Sequence, residues 1–341
     1  MIRKERQSNL ELLRILCMFG VLIVHADFGV LDTPTKSELT VSSLYCISRS
    51  LIESFAVVSV NTFVLLSGWF GIKFNWQGLA KLLFQCFFFF FLIYGLLLLT
   101  KEQSFSIEGL KKCLMLTNNV WFVKCYVGLY IISPVLNSFV NHADKKMFKM
   151  VLILFFVFQS VYGWFFIAQD YILNGYSAWS FMGLYLLARY VRIHSPKYSM
   201  MNHRKDIMIY FMLSLLSGIL MLFFVYLDKF TYFVLFMQYS SPLVIAASLF
   251  LLLYFSKLRI QSRTINWIAA SCFAVYLSHF YLFSMYMRPL IQNIYHNNTG
   301  GVILFKIVFA LAIFYVMAIL VDKLRIFVWE KIVLKPFAHD K

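Results

Sequence analysis

Three ionisable residues stand in the first apolar run of the chain: Glu11, Arg14 and His25. An arginine at the centre of an inserting helix costs roughly 2.5–3.5 kcal/mol, so such charges are the first place to look for function. Histidine exchanges protons near neutral pH and suits general-base work on a weak nucleophile such as a hydroxyl. Arginine carries a planar fork that grips phosphates and carbonyls. Arg14 and His25 are eleven residues apart. That is three helical turns plus about 20°, so both project from one face, ~16 Å apart along the axis. Glu11 and Met18 share nearly the same stripe. A structural reading stands beside the chemical one. In it Glu11 and Arg14 pair at the interface, Arg14 snorkels, and His25 hydrogen-bonds a neighbouring helix. A working stripe would face the bundle interior, near Asn61, Ser67 or the fourth helix.

Other polar residues in apolar runs carry the same two readings. Asn61 costs several kcal/mol if unpaired in lipid, so it faces the bundle or water, as a packing or a substrate contact. Ser67-Gly68 permits close helix packing, and Ser67 is also a candidate substrate contact. Lys124 snorkels outward or meets an anionic group. Tyr126 belongs to an interfacial belt or to the site. His279 lies midway along its run, bonded to a neighbour or to substrate. Glu53 is placed at an outer helix end. No serine elbow, glycine-rich phosphate loop or metal-ligand spacing appears, so no metal and no bound cofactor are expected.

These residues need elements to position them. The chain has 341 residues, 61% hydrophobic and 13% charged, with a mean hydropathy of +0.76. Those figures exclude a soluble enzyme, a disordered chain and a small disulfide scaffold. The apolar runs suit α-helices crossing ~30 Å of hydrocarbon, not the ~10-residue alternating strands of a barrel. The expected fold is an all-α polytopic membrane bundle, one transmembrane domain over 1–341. About ten spans are read: 9–28, 51–72, 79–100, 119–139, 148–169, 176–193, 207–227, 231–255, 265–287 and 301–323. The second is weakest, since it carries Ser59, Asn61, Thr62 and Ser67. Ser8 and Glu11 have the spacing of a capping box at the start of the first span. That span also lacks a cleavage site, so it reads as a retained helix.

The net charge of +16 does not indicate nucleic-acid binding, because the basic residues sit in short loops. With the amino terminus inside, inner segments hold 21 Lys and Arg and outer segments eight. This bias places both termini in the cytoplasm, in a multi-pass protein of the cell membrane. The inner segment with Arg189, Arg192, Lys197, Arg204 and Lys205 is a basic docking surface or a topology signal alone.

Four motifs in order carry a resemblance. Asn9-Leu-Glu-Leu-Leu-Arg14, then ten residues, then His25, resembles the Arg-x10-His first helix of the membrane acyltransferase-3 family of integral-membrane O-acyltransferases. Asn61-Thr-Phe-Val-Leu-Leu-Ser-Gly-Trp69 is similar to that family's Ser-Gly-aromatic segment. Trp121-Phe-Val-Lys-Cys-Tyr126, continuing through Leu129-Tyr-Ile-Ile-Ser-Pro134 to Asn137, resembles its Trp-Phe…Leu-Tyr-x-x-x-Pro-x-x-Asn helix. Val275-Tyr-Leu-Ser-His279 resembles its late Tyr-Leu-x-His. There is one departure. Many members carry arginines shortly after Ser-Gly, whereas this chain has Lys73 and Lys81, which lack the bidentate fork.

The resemblance implies transfer of an acyl group, acetyl foremost, from acyl-CoA to a hydroxyl of a cell-surface polysaccharide or its lipid-linked precursor. Acetyl-CoA enters as donor substrate. His25 is implied as catalytic base and Arg14 as its catalytic partner, holding a phosphate or the acyl carbonyl. Glu11, Asn61, Ser67, Lys124, Tyr126 and His279 are implied as substrate contacts. The competing class is a membrane transporter or polymerase of glycolipid or polysaccharide. A proton-driven carrier usually places a carboxylate near mid-membrane, and all fifteen acids here are read in loops or at span ends. The charge bias makes a direct prediction. Cysteines introduced at 195–205 should label only from the cytoplasm and those at 104–109 only from outside, and reversed labelling at either loop overturns the orientation.

Overall fold

The structure, a computed structural model, describes residues 6–117, 120–165 and 173–330, so Arg3, Lys4, Lys331, Lys335 and Lys341 of the charge count lie outside the described residues. The chain order is α1 Ser8–Ala26, α2 Lys36–Val41, α3 Ser43–Ala56, α4 Ser59–Phe70, α5 Trp76–Leu99, α6 Ile107–Cys113, α7 Trp121–His142 and α8 Lys145–Phe165. It continues with α9 Ala178–His194, α10 His203–Tyr226, α11 Phe230–Met237, α12 Pro242–Ser256, α13 Arg263–Ala269, α14 Cys272–Leu282, α15 Arg288–His296 and α16 Gly301–Val328. No strand occurs among the described residues.

Nine helical stretches in those residues are long and apolar enough to cross a membrane. The expected span at 176–193 is α9, whose 17 residues sit at the lower end of spanning length. The second span begins earlier than its hydropathy suggests, because α3 and α4 form one stretch, Ser43–Phe70. The Ser8–Glu11 capping box does not form. Gln7 is the N-cap without a side-chain bond, and Glu11 pairs with Arg14. The Ser8 hydroxyl accepts the Ser262 N–H at 3.0 Å. Tertiary pairing with residues 261–262 outcompetes the local bond. A true capping box stands elsewhere, at Thr35 and Glu38.

The chain divides into two compact units. The first comprises 1–75 and 121–262. At its centre α4 packs against α1, α9 and α12, with Val60, Asn61, Thr62, Val64, Leu65, Leu66 and Gly68 all buried. A helix buried on every side is the core of such a bundle. On the periphery α8 exposes Ile153, Leu154, Val157 and Phe158, the apolar surface expected against lipid. The α1 start is tied to the α12 end, where Asn9 Nδ2 donates to the Phe255 carbonyl at 2.9 Å. The second unit comprises 76–120 and 263–341. In it α14 packs against α5 and α16, and Asp322 accepts from Arg325 at 2.7 Å and from Gln85 at 3.1 Å.

Small residues set the closest helix approaches in the first unit. A methyl group at Gly68 would collide with the Tyr185 carbonyl oxygen and stand 2.9 Å from the Ala188 Cβ. Both obstacles belong to α9, one of them backbone, so the helices must part. Gly68→Ala should therefore lower the melting temperature, at a cost of about 1–3 kcal/mol for an overpacked core. Gly95→Ala meets nothing within 4 Å and should not, a contrast read by thermal unfolding in detergent.

Candidate functional site

The site is built on α1. Leu10, Met18, Val21 and Leu22 flank the Arg14–His25 line and are buried, while Leu16, on the opposite side, is 49% exposed. The line therefore points into the protein. Arg14 and His25 nevertheless keep accessible surface. Arg14 donates to Glu11 Oε2 at 2.5 Å, one turn earlier on α1. His25 Nδ1 lies 2.8 Å from the Val21 carbonyl oxygen. A carbonyl only accepts, so Nδ1 carries the proton and Nε2 the lone pair.

Contacts fix the depth of these groups. Gly20 of α1 faces the Ala56 carbonyl of α3, and Asp27 pairs with Arg49 at 2.5 Å. Each step is seven residues, so the helices run antiparallel in register. His25 then lies level with Leu51, and Glu53 about 3 Å deeper. Gly20 also abuts Ser59 of α4, which puts Arg14 level with Leu65 and within about 3 Å of the depth of Ser67.

Ser67 and Tyr126 are brought together, hydroxyl to hydroxyl at 3.2 Å, with Tyr126 stacked on Phe122. Asn61 is buried and donates to the Tyr239 carbonyl at 2.8 Å, joining α4 to the turn before α12. Lys124 is exposed on α7. His279 belongs to the second unit, where its Nδ1–H donates to the Tyr276 carbonyl at 2.5 Å. Among the described residues no three His, Cys, Asp or Glu side chains converge on a metal-sized site.

The segment after α4 is clamped from two helices. Ile72 N–H donates to the Tyr185 hydroxyl at 3.1 Å. That hydroxyl donates to Asn137 Oδ1 at 2.6 Å, and Asn137 Nδ2 closes the ring on the Ile72 carbonyl at 2.7 Å. Tyr130 accepts from the Asn75 N–H and donates to its carbonyl. Gly71 turns there with φ +76°, and the Arg189 guanidinium sits 3.0 Å from where its Cβ would be. Arg192 donates to the Trp69 carbonyl at 2.7 Å and covers the Trp69 ring. Two arginines of α9 thus stand beside the turn that follows Ser67-Gly68. Arg189 Nε is buried without a hydrogen-bond partner.

Three residues were not legible as site candidates. Asp27 and Arg49 carry no reading of their own in the sequence, and Glu53 is read there at an outer helix end. Glu53 lies ten residues along the stretch Ser43–Phe70 and is 3% exposed, so it is buried in the first unit. Arg49, one turn away, is engaged by Asp27 and by the Asp32 carbonyl at 2.5 Å. Glu53 Oε2 is buried with no donor. The i,i+4 spacing of Arg49 and Glu53 beside a weak span was the available signal.

A buried carboxyl lacking donors costs stability. Glu53→Leu should raise the melting temperature, by a gain on the order of 1–3 kcal/mol when an apolar residue replaces a buried group without its hydrogen-bond partner. A drop instead would show that Glu53 holds the fold together.

A search of curated protein sequences and a search of solved structures each found no significant match. A family model described as an acyltransferase domain matches residues 7–320, from the start of α1 into α16. The chain is a multi-pass membrane protein and belongs to this acyltransferase family.

Proposed function

We propose that this membrane acyltransferase moves an acyl group, acetyl foremost, from acyl-CoA to a hydroxyl of a cell-surface polysaccharide or its lipid-linked precursor. The observation that carries the proposal is the inward Arg14–His25 line, with the His25 lone pair on Nε2. In this scheme Nε2 takes the acceptor hydroxyl proton as the oxygen attacks the thioester carbonyl. The carbon–sulfur bond breaks, and the imidazolium returns its proton to the departing thiolate. The ~16 Å between Arg14 and His25 suits a donor whose phosphates stay at the Arg14 end while a slender thioester arm reaches His25. Arg189 and Arg192 share that end through α4 and favour anionic groups there. With the charge bias, this is the cytoplasmic face of the cell membrane, where acyl-CoA is made.

A transporter or polymerase is the second reading. Glu53 favours it, since an intramembrane carboxyl is a usual proton-relay element. Transfer of labelled acetyl from acetyl-CoA by the purified protein, scored beside glycan mass in cells, separates the two. Transport without transfer under all acceptors would reject the enzyme reading.

His25→Ala should lower transfer by roughly 10²–10⁴-fold, the usual worth of a general base, with unchanged membrane insertion. Arg14→Lys keeps charge and loses the fork. It should weaken donor binding without reducing protein abundance. Full activity in His25→Ala would remove the base, and full activity in Arg14→Lys would leave that residue as an interfacial partner of Glu11.

A further inference from the structure

A groove of about 1090 Å³ runs along the flank of α8 and α9, apart from the α1 site. One stripe of its α8 wall is Lys145, Lys149, Leu152, Phe156 and Ser160, spaced so that all fall on a single helical face, with Ile153, Val157 and Val161 beside it. The stripe begins cationic and turns apolar. Lys146 and Lys197 add charge at the same mouth, beside Tyr198. None of the described lining residues is acidic. The adjacent Asp144 caps α8, accepting the Met147 N–H at 2.7 Å. From Lys145 to Ser160 the stripe rises ~22 Å. One leaflet offers ~15 Å of hydrocarbon and a further ~7 Å of headgroup layer.

We propose that this groove is a binding site for an anionic membrane phospholipid, its phosphate at Lys145, Lys149 and Lys197 and one acyl chain along Leu152 and Phe156. Charge complementarity selects this occupant. Four lysines without an acid attract a phosphodiester, and a free phosphate would leave the apolar two thirds of the groove unused. The packing explains why the groove persists. Phe155 lies where a Gly183 side chain would stand and stacks on Trp179, while Phe148 abuts Tyr190. The helices are pinned beside the groove.

The test uses the full-length protein, stripped of lipid and titrated with palmitoyl-oleoyl phosphatidylglycerol or phosphatidylcholine, with bound lipid counted by native mass spectrometry. Each lysine at a membrane surface is worth about fivefold in affinity for anionic lipid. Phosphatidylglycerol should bind at least tenfold tighter than phosphatidylcholine. The K145Q/K149Q/K197Q variant should lose that preference. Ser160→Trp, which fills the deep end, should weaken phosphatidylglycerol while leaving the melting temperature unchanged. Equal binding of the two lipids, an undiminished preference in the triple variant, or displacement by millimolar inorganic phosphate would each overturn the proposal.

Discussion

Inside hydrocarbon, water does not share the work of solvating charge, so each ionised group must meet its partner within the protein. The pairs of this chain follow that constraint. In the first unit Glu11 takes Arg14, Asp27 takes Arg49, and Asp206 takes Lys257 at 2.5 Å. In the second, Asp322 takes Arg325. Two of the four span neighbouring turns of one helix, and the other two join different helices, where pairing also fixes register. The Asp27–Arg49 pair is the clearest case. It sets the α1–α3 alignment, and that alignment decides how deep His25 and Glu53 lie.

The opposite end of the first unit is held by backbone capture. Tyr130, Asn137 and Tyr185 use five hydrogen bonds to fix the backbone of Ile72 and Asn75 or to join one another. Such side chains hold the turn without regular structure, which positions the α9 arginines beside Gly71. The tight α4–α9 contact at Gly68 serves the same end. Preorganisation of this kind holds charged groups in place without rearrangement.

Much of the architecture was legible because hydropathy reports lipid contact directly. The all-α class and most spans followed from run length, and the shared face of Arg14 and His25 from helical periodicity. Spacing within one helix is local information. What failed required partners from elsewhere in the chain. Ser8 had two claims on its hydroxyl, and residues 261–262 took it. The burial of Glu53 was not legible because the polar half of Ser43–Phe70 depresses hydropathy, although buried polar residues are what an interior helix carries. The arginines beside the turn after Ser67-Gly68 come from α9, more than a hundred residues away, so local sequence does not announce them. Asn61 was seen to need a partner, but a backbone carbonyl at Tyr239 has no signature in a sequence.

The length of α9 has a consequence for the medium in which chemistry takes place. Its 17 residues rise ~25 Å, less than the ~30 Å of hydrocarbon. The shortfall is met by turns. Beyond the α9 start Gly175 packs on Tyr239, and Ser240 donates its N–H to the Asn174 carbonyl at 3.2 Å. Ser177, Gln238, Ser240 and Ser241 are buried there. Irregular polar backbone survives at membrane depth only inside protein or beside water. The His25 end of the unit is therefore a polarisable inclusion in the bilayer, with a local dielectric above that of the lipid around it. A proton moved there costs less than the apolar composition of the helices implies.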